Sequence, residues 1–76
     1  MAKYIIFNAT DSVLATNQIF TSQKKANEKI QELRTMFANY QGYYKTAQGD
    51  RISPEDITYH VIEQSTFNKH ADYFYQ

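Results

Sequence analysis

The segment Tyr43-Tyr44-Lys45 contains the residue types in this chain best suited to binding another macromolecule. A tyrosine ring can stack on a nucleic-acid base while a neighbouring lysine contacts the phosphate. Tyrosine is also enriched in sheets and at protein–protein interfaces. Because successive residues of a strand point to opposite faces, at least one of the two rings could be exposed. The segment therefore predicts a binding surface.

Other tyrosines could extend this surface. The candidate binding residues are Tyr43, Tyr44, Lys45, Tyr59, Tyr73 and Tyr75. Eight basic and eight acidic residues give a net charge of zero, whereas affinity for nucleic acid depends largely on positive charge. We therefore favour another protein, or a second copy of this chain, as the partner of a small adaptor, regulator or inhibitor. A single-stranded nucleic acid bound by Tyr43, Tyr44 and Lys45 is the alternative.

Residues that could perform catalysis or hold a metal are sparse. The chain has no cysteine, and none of its serines lies in a glycine-flanked nucleophile elbow. Its two glycines are too few for a glycine-rich phosphate loop. His60 and His70 are separated by a spacing that matches no common metal motif. We expect no catalytic residue, no metal and no cofactor, and hence a protein that is not an enzyme.

An amphipathic helix over 21–40 must position much of the rest of the chain. Its apolar residues recur every three or four positions and share one face. They are Ala26, Ile30, Leu33, Phe37 and Tyr40, and Met36 widens the stripe. Thr21 or Ser22 can cap the start of the helix, and Gly42 suits a left-handed stop after its end.

Runs of β-branched and aromatic residues predict strands over 4–7, 13–20, 42–47 and 58–63. The short polar connection between the first two favours an antiparallel hairpin, and the first strand has apolar residues on both faces, as expected if both are covered.

Between the last two strands, Ser53-Pro54-Glu55-Asp56 predicts a single helical turn. The two acids then act as helix-start residues rather than as an acid–base pair. Residues 65–76 are compatible with a frayed or flexible tail, a short helix or an edge strand.

Together these elements predict one α+β domain over 1–76, in the order β-β-α-β-β. A small, mainly antiparallel sheet of three or four strands carries the long helix on one face. A chain of this length buries only about 60% of its unfolded surface, so a homodimer is an open alternative. No segment reaches the ~18 apolar residues of a membrane span, and the N-terminus lacks a signal-peptide core. We expect a cytoplasmic protein with no membrane partner.

Overall fold

A computed structural model describes residues 2–70 and confirms the α+β fold class. The elements in chain order are β1 (Tyr4–Asn8), β2 (Val13–Leu14), α1 (Gln23–Tyr40), β3 (Tyr44–Lys45), β4 (Arg51–Ile52), a 3₁₀ turn (Pro54–Asp56), β5 (Tyr59–Glu63) and α2 (Gln64–Lys69). The order agrees with the predicted β-β-α-β-β, with the short strand β4 and the short helix α2 added. The candidate residues Tyr73 and Tyr75 lie outside the described residues.

β1 is the central strand of a three-stranded antiparallel sheet with the order β2-β1-β5. It pairs with β5 along its whole length, from Tyr4 opposite Glu63 to Asn8 opposite Tyr59. The two strands come from opposite ends of the chain, so their pairing closes the domain.

The second strand is only two residues long, so the prediction of a strand over 13–20 is wrong for most of that range. If the register between β1 and β2 continued, Asn17 would lie opposite Tyr4. Phe20 lies there instead, which leaves three extra residues (20 − 17) looped out of the sheet. Phe20 is 6% exposed. The loop therefore places an apolar ring in the core where a regular strand would place an amide.

α1 begins within two residues of its predicted start and ends where predicted. Of the two candidate caps, Ser22 rather than Thr21 is used. The Ser22 Oγ accepts a hydrogen bond from the backbone nitrogen of Lys25 at 3.2 Å. At the other end Gly42 adopts a φ of +78°, and its N–H donates to the carbonyl of Phe37 at 3.2 Å. The predicted left-handed stop is thus confirmed.

The apolar face of α1 covers one face of the sheet. One core cluster consists of Ile6, Phe20, Ala26 and Ile30, with Tyr4, Ala15, Tyr59 and Val61 packed against it. Tyr40 was predicted on the same stripe but is 80% exposed. The reason is length: the 18 residues of α1 span about 27 Å, while the five residues of β1 span about 17 Å. The last turn of the helix extends past the sheet.

α2 covers the opposite face of the sheet. Its Phe67 is buried with Ile5 and Phe7 of β1, and the Phe7 and Phe67 rings lie 5.8 Å apart between centroids. The expectation that the first strand is covered on both faces is confirmed. Of the three alternatives for residues 65–76, a short helix is the one found in the described part of this range.

β3 and β4 form a separate two-stranded antiparallel hairpin, so the third predicted strand does not join the main sheet. Thr46 and Asp50 close its turn through a backbone hydrogen bond of 2.8 Å, and Gly49 supplies a φ of +95°. After β4, the predicted single helical turn is confirmed. The Ser53 side chain accepts from the backbone nitrogen of Glu55 at 3.4 Å.

Candidate functional site

Side-chain hydrogen bonds tie the β3–β4 hairpin to the turn between β1 and β2. The buried Asn8 donates from Nδ2 to the Tyr44 hydroxyl at 3.1 Å. The same hydroxyl donates to the Asp11 carboxylate, whose Oδ1 accepts from the backbone nitrogen of Ala47 at 2.9 Å. The Tyr44 hydroxyl is therefore used inside the fold as both acceptor and donor.

Asn8 is held in place by its own turn. Its Oδ1 accepts from the backbone nitrogens of Thr10 at 2.9 Å and Asp11 at 3.2 Å. This arrangement fixes the orientation of the amide, so that Nδ2 points at the hairpin. The turn formers after the first strand were visible in the sequence, but their contact with a residue over thirty positions away was not.

The environment of Tyr44 is that of a structural residue. Burial, followed by the hydrogen bond to Asp11, raises the pKa of Tyr44 to about 12. Its ring meets the Phe37 ring edge-on, with centroids 4.9 Å apart. With its hydroxyl bonded and its ring half-buried, Tyr44 differs from the exposed stacking residue that a nucleic-acid surface requires.

Tyr43 and Lys45 lie on the other face of the hairpin, together with Arg51. Lys45 is paired with Arg51 across the two strands. The guanidinium carbon of Arg51 lies 4.9 Å from the centroid of the Tyr43 ring, a cation–π contact. We call Tyr43, Lys45 and Arg51 the hairpin patch. Both cations are exposed, and the tyrosine is half-buried.

Tyr59 is positioned by Arg34 of α1. The Arg34 guanidinium carbon lies 5.0 Å from the Tyr59 ring centroid, and its Nη1 donates to the backbone carbonyl of Pro54 at 2.7 Å. Burial raises the pKa of Tyr59, and the Arg34 charge acts against this rise. One guanidinium thus joins the helix, the 3₁₀ turn and β5.

Tyr44 and Tyr59 meet at a groove between β2 and the second half of α1, which we call the β2–α1 groove. Its volume is about 230 Å³, and its lining residues are Asn8, Val13, Leu14, Ala15, Leu33, Met36, Phe37, Tyr44 and Tyr59. Val13 on β2 is 46% exposed and Met36 on α1 is 51% exposed. The groove is apolar along most of its surface and open to solvent where Val13 and Met36 lie.

A second, more polar groove of about 590 Å³ separates α1 from the 3₁₀ turn. Its charged residues are Arg34 and Glu55. Arg34 is already committed to the Pro54 carbonyl and the Tyr59 ring, and the Ser53 hydroxyl accepts from the backbone of Glu55. The Arg34 guanidinium and the Ser53 hydroxyl are therefore used by the local fold, whereas Glu55 is exposed.

The four described candidate residues separate into two places. Tyr44 and Tyr59 line the β2–α1 groove, whereas Tyr43 and Lys45 belong to the hairpin patch. Sequence reasoning missed several residues of these sites: Val13, Met36, Arg34, Arg51, Asn8 and Asp11. The exposure of Met36 had one visible signal, because its position lies at the margin of the helical stripe.

Comparison with known proteins assigns no family to the chain, so the site is interpreted from its own chemistry. No protein-family model, curated protein or solved structure matches the chain. Within residues 2–70, no three His, Asp or Glu side chains lie close enough together to hold a metal ion. In the same part of the chain, no helix has the length and apolar character needed to cross a membrane.

Proposed function

We propose that this chain is a small non-enzymatic interaction module that binds an apolar segment of another protein in the β2–α1 groove. One observation carries the proposal. Val13 and Met36, two large apolar side chains that are each about half exposed, flank the same concave surface. Apolar side chains that border a groove in this way are typical of recognition sites on protein surfaces.

The chemistry of the groove supports a protein ligand. Two of its polar groups, the Asn8 amide and the Tyr44 hydroxyl, bond to each other and to Asp11, so these two need no polar partner from a ligand. Among residues 2–70, no charged side chain lines it. The volume of about 230 Å³ lies below the 300–1,000 Å³ of typical small-molecule sites. It suits one or two apolar side chains of a protein.

Met36 also suits a site that adapts to its ligand. A methionine side chain is unbranched and polarisable, so it can change rotamer to fit the group that enters. The neighbouring walls are more rigid, because Leu33 is in the core and Phe37 is packed against Tyr44. The proposed partner is therefore an extended or helical segment with one apolar anchor residue.

The test compares Met36→Lys with Asn39→Lys as immobilised baits for extracts of the native cell. Both substitutions place a lysine at an exposed position of α1, where lysine is a good helix former. Only Met36 lines the groove. We expect a protein that is retained by the wild type and by Asn39→Lys, and lost with Met36→Lys. Retention that is equal on all three baits contradicts the proposed site.

The hairpin patch supports a second candidate, a single-stranded nucleic-acid surface made by Tyr43, Lys45 and Arg51. The supporting observation is that Arg51 contacts the Tyr43 ring and lies opposite a second exposed cation, Lys45, because stacking and phosphate contact use an aromatic ring together with positive charge. Tyr44, part of the original hypothesis, points to the other face. Lys24 and Lys25 lie at the start of α1, about 27 Å along the helix from the hairpin end.

Fluorescence anisotropy with a labelled oligonucleotide at low salt tests this second candidate. We expect Arg51→Glu to abolish binding and Lys24→Glu to leave it nearly unchanged, since both remove one exposed cation but only Arg51 belongs to the patch. Equal losses in both variants would indicate attraction to net charge alone. No binding by the wild type at micromolar concentration excludes this candidate.

We further propose that the protein acts in the cytoplasm as an adaptor, regulator or inhibitor. The absence of cysteine supports this location, because the fold needs no oxidising compartment. Expression of a fluorescent fusion in the native cell tests the location directly. A signal confined to the cell envelope or the medium would contradict it.

A further inference from the structure

We propose that two copies of this chain pair through the outer edge of β5 and join their sheets into one continuous antiparallel sheet. This inference goes beyond the proposed function and does not rest on it, because the edge and the β2–α1 groove are tested by different variants. The partner is a second copy of the same chain.

The register identifies which backbone groups are available. At one end of β5 the N–H of Ala9 donates to the Thr58 carbonyl, and at the other end Gln64 donates to the Lys3 carbonyl. Ladder bonds of an antiparallel pair recur at every second residue. The backbone N–H and C=O groups of the even-numbered residues from 58 to 64 therefore point towards β1. The backbone N–H and C=O groups of the odd-numbered residues point outward from the edge of the sheet. These residues are Tyr59, Val61 and Glu63.

β5 lacks most of the features that usually protect a strand edge, and its one acidic residue is Glu63 at its end. Proteins shorten their edge strands or place proline, lysine or bulges on them. β2, the other edge, is two residues long, whereas β5 has five residues and contains no proline, glycine or lysine. Its Val61 and Ile62 are half-buried, while Ile5 and Ile6 of β1 are 6% and 0% exposed. A further strand would complete the burial of Val61 and Ile62.

The outward-facing groups set the register of the pair. A symmetric antiparallel arrangement places Val61 opposite Val61 of the second copy and Tyr59 opposite Glu63 of the second copy. Residues of the same parity share a face, so these side chains lie on the face covered by α1, where Tyr59 and Val61 pack. The Glu63 side chain of one copy then lies beside the Tyr59 ring of the other.

Charge complementarity supports this register. Arg34 lies over the Tyr59 ring and is half-buried. Within residues 2–70 the one ion pair joins Lys29 to Glu32, so Arg34 forms none there. Glu63 is exposed and accepts a hydrogen bond from the Ser65 hydroxyl at 3.1 Å. The Glu63 carboxylate of the second copy would approach the Arg34 guanidinium, which has no carboxylate partner among the described residues. Arg–carboxylate pairs of this kind give specificity at interfaces.

Glu63→Pro tests the edge without disturbing the sheet. The φ of Glu63 is −62°, which proline adopts without strain, and its N–H does not pair with β1. The substitution removes an outward donor, as in natural edge strands. Light scattering coupled to gel filtration should show a dimer for the wild type and a monomer for Glu63→Pro. The control Glu63→Ala keeps the N–H and is expected to dimerise about tenfold more weakly than the wild type.

A charge exchange tests the register. Glu63→Lys should weaken dimerisation by at least about tenfold, because the lysine would face Arg34 of the second copy. Combining Glu63→Lys with Arg34→Glu should restore the dimer. Glu28→Lys makes the same charge change at an exposed position of α1 and should leave dimerisation unchanged. A dimer that withstands both Glu63→Lys and Glu63→Pro overturns the proposal, since the interface then lies elsewhere.

Amide hydrogen exchange shows whether the outer edge of β5 pairs with a second copy or with another segment of the same chain. In the proposed dimer the Val61 and Glu63 amides become protected as concentration rises, while His60 and Ile62 are protected at every concentration by β1. A wild-type monomer with protected Val61 and Glu63 amides would assign the edge to residues 71–76 of the same chain and overturn the proposal. A monomer at high micromolar concentration with those amides unprotected overturns it as well.

Discussion

Tyr44 donates its hydroxyl hydrogen bond to the Asp11 carboxylate, joining the β3–β4 hairpin to the turn between β1 and β2. The two residues are separated by 33 positions in the chain. A second bond, from the Ala47 backbone to the same carboxylate, reinforces the connection. The hairpin shares no ladder with the main sheet, so these side-chain bonds are a principal link between the two sheets.

Tyr44→Phe is expected to lower the free energy of unfolding by about 1–3 kcal/mol. The substitution keeps the ring against Phe37 but removes the hydroxyl. The buried Asn8 amide then loses an acceptor, and Asp11 loses a donor. Urea denaturation followed by circular dichroism measures the change.

The matched control is Tyr43→Phe on the opposite face of the hairpin. Its hydroxyl makes no hydrogen bond within residues 2–70, and its ring keeps the contact with Arg51. We expect a change within about 0.5 kcal/mol, as for most surface substitutions. Equal losses in the two variants would show that the bond from Tyr44 to Asp11 does not stabilise the fold.

Stability is expected to fall as the pH rises through the range of tyrosine ionisation. The ordinary pKa of tyrosine is 10.0, and that of Tyr44 in the folded chain is about 12. The unfolded chain therefore releases the Tyr44 proton at a lower pH than the folded chain does. Raising the pH from 10 to 12 thus favours unfolding, while below pH 10 the contribution of Tyr44 is fully present.

Ultraviolet titration of tyrosinate formation checks this order of ionisation. The wild type should show a late-titrating fraction of tyrosine that becomes smaller in Tyr44→Phe. Burial also raises the pKa of Tyr59, so a smaller late fraction should remain in the variant. A titration curve identical in the two proteins would rule out a raised pKa for Tyr44.

Ser22→Ala should destabilise the protein by about 1 kcal/mol, within the range of 0.5–2 for lost caps. The Ser22 Oγ accepts from the Lys25 backbone nitrogen, which then loses its side-chain partner. Thr21→Ala is the control, because the neighbouring threonine does not act as the cap. Thermal melts of both variants measure the difference, and a larger loss for Thr21→Ala would place the cap one residue earlier.

Leu33→Ala should lower the free energy of unfolding by about 2–5 kcal/mol, because Leu33 is a buried residue of the α1 face. Met36→Ala, one turn further and 51% exposed, should cost under about 1 kcal/mol, since alanine is the better helix former. Chemical denaturation compares them. A Leu33→Ala protein as stable as the wild type would mean that the core face of α1 is misassigned.

The elements with strong local signals were predictable. The 3.6-residue period of α1, its cap and its glycine stop were all found from the sequence, as was the Ser53-Pro54 turn. The predicted length of β2 was wrong because alternation over 13–20 says nothing about the partner strand. The length of β2 depends on its register with β1, because placing the buried Phe20 opposite Tyr4 requires a loop before it.

The sites were less predictable, because they depend on which residues meet across the fold. The sequence predicted that Tyr43 and Tyr44 lie on opposite faces, which agrees with their contacts to Arg51 and Phe37. It did not indicate which ring would be fixed by Asp11. The pairing of Arg34 with Tyr59 spans two elements of different type, and no periodicity within either element reveals such a contact.

The position of Tyr59 has a thermodynamic consequence. Its ring lines the β2–α1 groove and also supports the Arg34 guanidinium near the edge of β5. If the chain pairs through β5 as proposed, a ligand that shifts this ring would alter the affinity of one copy for another, and linkage requires the effect to be reciprocal. If a ligand in the groove changes the dimerisation constant by some factor, dimerisation changes the affinity for that ligand by the same factor.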